Sequence, residues 1–375
     1  MKRIIQIVLF FTFFQFAISS VLAQDADCWP SFRGNPQLNG TTGVQLPESP
    51  KLLWSFKTGD AIKSSPIICN GNIYIGSDDG FVYAISQTGE LKWKFDAETS
   101  IEAPPLYLDN IIYVGSLEGF MFALNAETGA LKWKYYTDGQ ISGSAGWVNS
   151  EDKESKHILF GSYDYSLHAV DAQNGDSVWK YESDNYINGA PACNGEVSIF
   201  GGCDGNLHLV NVNDGKLIEK IEIGSYVAAS AAMSDDMAFV GDYDGKFYAV
   251  DLKEKNIAWT FDEAGEIVGS PAVFGGKVII GTRDKNVYCF NSKSGKVLWK
   301  FKTLGKIESS PVITKNSVVF GSGDGRIYIL DLNTGAQKWV YEIGSPVNST
   351  PAITRDLIIV AAKDGRVYVF GKSQE

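Results

Sequence analysis

The side chains best suited to chemistry in this chain are its three histidines, and the positions of two of them argue for packing. His168 and His208 occupy a recurrent position that other segments fill with Tyr83, Phe122, Tyr248, Tyr288, Tyr328 and Tyr368. A position that takes Tyr, Phe or His in turn is an aromatic packing position, so both imidazoles are expected to substitute for rings in a buried layer. An acidic series runs in step with them: Asp79, Glu118, Asp164, Asp204, Asp244, Asp284, Asp324 and Asp364. Within it, Asp242-Tyr243-Asp244-Gly245 resembles the opening of a Ca²⁺ loop, but the third ligand and the closing Glu are missing. An Asp beside a tight turn accepts a hydrogen bond from its own backbone, which accounts for the series without a metal.

The five cysteines are Cys28, Cys69, Cys193, Cys203 and Cys289, so at least one is unpaired. Cys69 and Cys193 fall at the same repeat position in different segments, which argues against a bond between those two. The set reads as small buried hydrophobes. No Cys-x-x-Cys, vicinal Cys pair or haem-attachment motif is present, and neither is a nucleophile elbow or a phosphate-binding glycine loop. Net charge is −11, and loss of Lys2 and Arg3 with a cleaved leader takes it to −13. That balance repels phosphate backbones, so nucleic acid is not an expected partner.

These residues are placed by a repeat. One ladder aligns Gly76, Gly115, Gly161, Gly201, Gly241, Gly281, Gly321 and Ala361. Its spacings are 39, 46 and then 40 residues; a second ladder aligns Trp54, Trp93, Trp133, Trp179, Glu219, Trp259, Trp299 and Trp339 with the same irregularity shifted in phase, 39, 40, 46 and then 40. Each repeat reads as four short strands. In the first, Ser65–Cys69 is followed by the Asn70-Gly71 hairpin signal and then by Asn72–Gly76. The Asp79-Gly80 turn leads into Phe81–Ile85, and the Thr88-Gly89 turn into Leu91–Phe95. Such short, numerous strands predict radial packing: an all-β, eight-bladed β-propeller of four-stranded antiparallel blades.

The repeat count also predicts how the ring closes. The last repeat has no outer strand of its own, while Leu52–Phe56 precedes the first repeat, so the N-terminal strand is expected to complete the final blade. A docked indole buries about 150–250 Å², on the order of 4–6 kcal/mol gross as an upper bound. The Trp ladder is therefore read as structural, and Glu219 as its weak point.

The segment Ala123-Leu124-Asn125-Ala126-Glu127-Thr128-Gly129-Ala130-Leu131-Lys132-Trp133 resembles the tryptophan-docking motif of pyrroloquinoline-quinone (PQQ)-like propellers. So does Ala169-Val170-Asp171 through Gly175 to Trp179, with looser copies ending at Trp93, Trp299 and Trp339. The resemblance covers about Lys51 to Phe370. It implies two branches: the quinoprotein alcohol and glucose dehydrogenases, and non-enzymatic propellers that include the barrel-assembly lipoprotein BamB. The dehydrogenases need PQQ with a Ca²⁺-type ion and a carboxylate base, are usually longer, and often carry a vicinal Cys pair. The chain resembles the BamB branch more closely.

The ends and the surface complete the reading. Lys2 and Arg3, an apolar run from Ile4 to about Ile18, and Val21-Leu22-Ala23 predict a signal peptide over 1–23, cleaved before Gln24. Cys28 does not follow that box directly, so no lipid anchor is expected, and no second segment is apolar enough to span a bilayer. Residues 24–50 form a leader whose Trp29 and Phe32 pack on the propeller, which spans 51–375. Its Trp-x-x-Phe-Arg-Gly start resembles that of other exported PQQ-like propellers. The insertion at Asn149–Lys156 reads as a solvated hairpin tip.

The turns that vary most between repeats mark a candidate partner face. It comprises Leu117, Tyr163, Tyr243 and Arg283 on one set of turns and Lys63, Glu102, Asn188, Glu308 and Asn348 on the connections beside them. The leading expectation is an exported, periplasmic or extracellular, monomeric propeller without catalysis or cofactor, which binds an envelope protein partner. The alternatives are a small PQQ- and Ca²⁺-dependent alcohol or sugar oxidoreductase, and a propeller that binds carbohydrate or another ligand at its channel mouth.

Overall fold

The computed structural model describes residues 27–372; the expected signal peptide lies outside the described residues. The strands form eight four-stranded antiparallel sheets, seven of them running from an inner to an outer strand in chain order, with the inner strands of blades 2–7 beginning at Leu106, Gly146, Ala192, Ala232, Ala272 and Val312. In blade 1 these are Ile67–Cys69, Asn72–Gly76, Phe81–Ser86 and Leu91–Asp96. The hairpin residues Asn70 (φ 49°) and Gly71 (φ 71°) both adopt the left-handed conformation that a two-residue I′ turn requires. Blade 8 combines Ala352–Ile353, Leu357–Ala362 and Arg366–Gly371 with the N-terminal strand Lys51–Lys57, paired from Lys51↔Gly371 to Lys57↔Arg366. Ring closure is therefore as expected.

Both sequence ladders act at the seams between blades. A Cβ on Gly76, Gly115, Gly161, Gly201, Gly241, Gly281 or Gly321 would lie 2.2–2.4 Å from the branched residue that opens the next blade, Ile101 for Gly76 and Ile141 for Gly115. Only glycine permits that approach. On the outside, each docked indole lies over a turn glycine of the following blade. The Trp93 Nε1–H donates to Ala126 O at 3.0 Å, and the Trp133 Nε1–H to Ala172 O at 3.1 Å. Trp54, Trp179, Trp259 and Trp299 repeat the arrangement. A β-bulge precedes the tryptophan position in all eight outer strands and aims its side chain at the neighbouring blade.

Three seams depart from this pattern. Between blades 8 and 1, Ala361 stands where the other seven repeats have glycine. Trp339 packs on Tyr341 and Phe370, because blade 8 takes its outer strand from the N-terminus and has no third-to-outer turn to meet it. At the seam between blades 4 and 5 both halves of the dock are lost together. Glu219 replaces the indole, and Lys255 (φ 55°) replaces the turn glycine. An inner belt persists there, since the backbone N–H of Ala190 donates to Ser230 Oγ, that of Ser230 to Ser270 Oγ, and that of Ser270 to Ser310 Oγ, at 2.8–3.0 Å.

The leader closes one end of the axial channel. It accepts backbone N–H bonds from the inner strands of six blades: Ile68, Tyr107, Cys193, Met233, Val273 and Ile313 donate to Trp29, Pro30, Pro36, Gln37, Asn39 and Gly40. Trp29 and Arg33 are fully buried. The Arg33 guanidinium donates to Pro271 O and Pro311 O at 2.8 and 2.7 Å. Burial pulls its pKa down to about 9, so it remains cationic at neutral pH. A disulfide joins Cys28 to Cys69 across a separation of 41 residues. This corrects the reading of all five cysteines as packing residues. Cys28 belongs to no repeat, so its neighbour is decided only when the leader crosses blade 1. Cys193 and Cys289 are buried thiols, as expected.

The aromatic layer also follows the sequence reading. His168 stacks on Phe160 (5.4 Å, 9°) and His208 on Phe200 (4.9 Å, 2°). Each is in addition the centre of a buried chain. Tyr181 Oη lies 2.9 Å from His208 Nδ1, and His208 Nε2 lies 2.9 Å from Asp204; Tyr135, His168 and Asp164 repeat this. Elsewhere a tyrosine hydroxyl donates to the same acid, as from Tyr83 to Asp79 and from Tyr328 to Asp324. The acids also cap their own turns: Asp79 accepts from Phe81 N and Asp204 from Asn206 N, both at 3.1 Å. Blade 5 corrects the series, because there Asp242 and not Asp244 accepts from Lys246 N and Tyr248 Oη.

Two outcomes follow from these contacts. Glu219→Trp alone meets the Lys255 Cβ, because a Cβ at the equivalent glycines would lie 2.6–3.0 Å from the indole. Glu219→Trp/Lys255→Gly is expected to stabilise by about 1–2 kcal/mol, while the single Glu219→Trp change gains nothing. In the wild type, amides of Leu217–Glu222 should exchange fastest among the outer strands; equal protection in hydrogen exchange would contradict this.

Burial alone would raise the pKa of Asp204, but the hydrogen bond and charge of His208 outweigh it and hold the carboxyl at about 2, below its ordinary 3.8; Asp164 behaves alike. Their folded pKa values are depressed, so their stabilisation is present above about pH 4 and is lost as pH falls toward 2. His208→Phe keeps the stack and strands the acid, at an expected cost of about 1–3 kcal/mol at pH 7. That cost should shrink near pH 2 in urea unfolding.

Candidate functional site

With the leader across one mouth, the other mouth is the accessible end of the axis. It is built from the connections that enter each inner strand and from the turns between second and third strands, which bond to one another around the ring. Leu117 N donates to Ser100 O, Cys203 N to Tyr186 O, Tyr243 N to Tyr226 O, and Arg283 N to Glu266 O. Fold geometry therefore sets the backbone, while the side chains at these positions are free to differ. Inside the mouth lies an axial cavity of about 110 Å³, floored by Phe32 and lined by Ser142, Asn188, Ala228, Ser230 and Val268 among other small residues.

Most of the sequence-selected residues fall into two polar clusters. Lys63 bridges Glu102 (2.6 Å) and Asp78 (3.2 Å), and the hydrogen bond to Glu102 does most to raise its pKa. Across the mouth, Arg283 pairs with Glu266 (2.9 Å) and Glu308 (2.8 Å) and donates to the Tyr243 hydroxyl at 3.0 Å. Asn348 Nδ2 donates to Glu308 at 2.6 Å, and Lys306 reaches the same carboxylate at 2.6 Å. Burial opposes the charge on Glu308, but Lys306 and Arg283 outweigh it and hold its pKa below the ordinary value. Asn188 Nδ2 lies 3.0 Å from Cys203 Sγ, and burial raises the Cys203 pKa, which keeps the thiol protonated at neutral pH. Leu117 is half-buried on blade 2, apart from both clusters.

A third group joins the selected Tyr163 and Tyr243 to three rings that sequence reasoning missed, Tyr165, Tyr186 and Tyr226. Tyr186 packs at a tilt against Tyr163 (4.8 Å, 31°) and Tyr165 (5.0 Å, 58°), while Tyr226 stacks on Tyr243 (4.5 Å, 24°), which also lies 5.5 Å under the Arg283 guanidinium. Tyr165, Tyr186 and Tyr226 are 43, 41 and 36% exposed. The available signal was the residue before the branched apolar position, Tyr186 before Ile187 and Tyr226 before Val227, which varies between repeats as the residue after it does.

This arrangement suits binding. The carboxylates Glu102 and Glu308 at the mouth are tied to cations, Cys203 is a protonated thiol, and His168 and His208 are held inside the blades. Among the described residues no three His, Cys, Asp or Glu side chains converge to hold a metal ion.

Known structures share the architecture. BamB from Moraxella catarrhalis superposes with a TM-score of 0.74 at 17% identity, covering 87% of this chain and 98% of that one. Quinohemoprotein alcohol dehydrogenase from Comamonas testosteroni superposes at 0.78 with 13% identity, covering 94% and 82%. A europium-containing methanol dehydrogenase gives 0.79 with 14% identity, covering 94% and 99%. That last coverage removes chain length as a way to separate this protein from the dehydrogenases. At these identities the likeness establishes the fold. No curated protein matches the sequence. A family model does match residues 44–261 and 257–374, nearly the whole described chain, and by it the protein belongs to the family of the outer membrane protein assembly factor BamB.

Proposed function

We propose that this chain is an exported, non-catalytic propeller that holds a protein partner on its open face, in envelope assembly as its family's description suggests. The observation that carries this reading is the asymmetry of the ring: one mouth is sealed by the leader, and the other presents side chains that differ from blade to blade on a backbone that does not. Such variation on a rigid ring is how a repeat fold builds a specific surface. The Cys28–Cys69 disulfide supports an oxidising compartment, in keeping with the expected signal peptide. No described helix is long and apolar enough to cross a membrane.

The quinoprotein alternative finds no support in the lining. A fused tricyclic quinone needs a pocket of roughly 300 Å³ or more. The axial cavity, about 110 Å³ and walled largely by Gly, Ala and Ser, does not fit it. An ion beside the quinone would also need converging acids, and the mouth glutamates Glu102, Glu266 and Glu308 are committed to Lys63, Lys306 and Arg283.

The immobilised mature chain is expected to retain a defined protein from detergent-solubilised envelope. Tyr163→Ala/Tyr243→Ala should lose it, and Phe274→Ala, at an exposed hairpin on the leader side, should keep it. Equal capture by all three would refute the face. Dye reduction by alcohols or sugars after addition of PQQ and Ca²⁺ would refute the absence of catalysis.

A further inference from the structure

The repeat supplies its own control for the tyrosine sector. At the two positions that meet at each seam, the rest of the ring uses Ala61 with Asp78, Ser100 with Leu117, Glu266 with Arg283, Lys306 with Gly323 and Pro346 with Lys363. These seams close without a ring, so the fold does not require aromatic residues there. Yet blades 3–5 carry Tyr163, Tyr186, Tyr226 and Tyr243 at those positions. Tyr165 adds a fifth ring, at a turn position that is glycine in six of the eight repeats, and it adopts φ 70°. A bulky side chain in that region is disfavoured by about 1 kcal/mol or more. Tyr165, Tyr186 and Tyr226 stay exposed, so burial on folding does not account for them.

We infer that this sector binds a neutral saccharide chain, whose pyranose C–H faces lie on Tyr186 and Tyr226 while a hydroxyl group donates to Asn188 Oδ1 in the mouth. Three features select this ligand class. Paired rings that keep roughly 40% exposure offer flat, electron-rich faces to weakly acidic C–H groups. The cavity beside them is lined by small hydroxyl and amide side chains, and Asn188 Oδ1 is a buried acceptor with no partner. Finally, the cation at the sector's edge, Arg283, is already neutralised by Glu266 and Glu308, and the chain is acidic overall, so an anionic glycan has no counter-charge to meet. The inference rests on the open face being a binding surface, but it requires no protein partner.

Purified mature chain would be titrated calorimetrically with neutral hexasaccharides (α-1,4-glucan, β-1,4-glucan, β-1,3-glucan and N-acetylated chito-oligosaccharide) and with a polyuronate of matched length. At least one neutral chain should bind saturably, and the polyuronate should not. Tyr186→Ala and Tyr226→Ala should each weaken binding about tenfold or more, Tyr→Phe at either site should retain most of it, and Asn188→Ala should weaken it. Tyr136→Ala, an exposed ring on the outer strand of blade 2, should leave it unchanged. Unaltered melting temperatures would show that the variants are folded. Saturation by none of the neutral chains, or binding indifferent to both tyrosines, would overturn the inference. If the two alanine variants instead lose the captured envelope protein while no saccharide binds, the sector belongs to a protein ligand and only the saccharide assignment fails. Saccharide binding with no captured protein would uphold the assignment and remove the scaffold reading.

Discussion

Everything in this molecule depends on closing seams between sheets that cannot stand alone. A blade of four short strands buries its two faces only against neighbours, so the ring is stable only if every seam closes. Two devices accomplish this. Inside, a glycine at the end of the second strand lets an Ile or Val of the next connection approach to a distance that no side chain would allow. Outside, an indole crosses to a turn glycine of the next blade and satisfies its own N–H on that blade's backbone. Each device needs a large residue on one blade and a missing Cβ on the other. That is why the ladders of glycine and tryptophan share one irregular spacing.

The two departures of the outer dock follow the same logic. At blades 4 and 5 the indole and its glycine are lost as a pair, and the seam relies on the serine belt and on Leu38 of the leader, which packs there. At blades 7 and 8 the outer partner is absent because the closing strand comes from the other end of the chain. The leader adds a further constraint. Its backbone is bonded to six of the eight inner strands, so it seals one mouth and leaves the axis accessible from the other. Function is thereby directed to one face before any surface residue is considered.

On that face the polar residues chosen from the sequence are spent largely on one another. Lys63 with Glu102, and Arg283 with Glu308 and Asn348, form closed sets of charge-assisted bonds. What remains available is aromatic: rings on blades 3–5 beside a cavity lined by small polar groups. A surface of neutral rings and amides discriminates by shape and hydrogen bonding, whereas the matched charges beside it hold the mouth rigid.

Local periodicity was enough to determine the architecture. Strand length, the Asn-Gly and Asp-Gly turns, the two ladders, the count of eight and the identity of the closing strand all follow from residues that repeat, and the His168 and His208 positions follow from what replaces them in other repeats. The partners of non-repeating residues were not legible there. Cys28 finds Cys69, Arg33 finds two proline carbonyls, Asp242 takes the role written for Asp244, and five tyrosines from two turns and two connections gather into one sector. A repeat encodes contacts at fixed offsets along the chain, so its pattern can be read in one dimension. Contacts that belong to no offset are decided by where the leader crosses the ring and by which seams face the open mouth, and those exist only once the circle has closed.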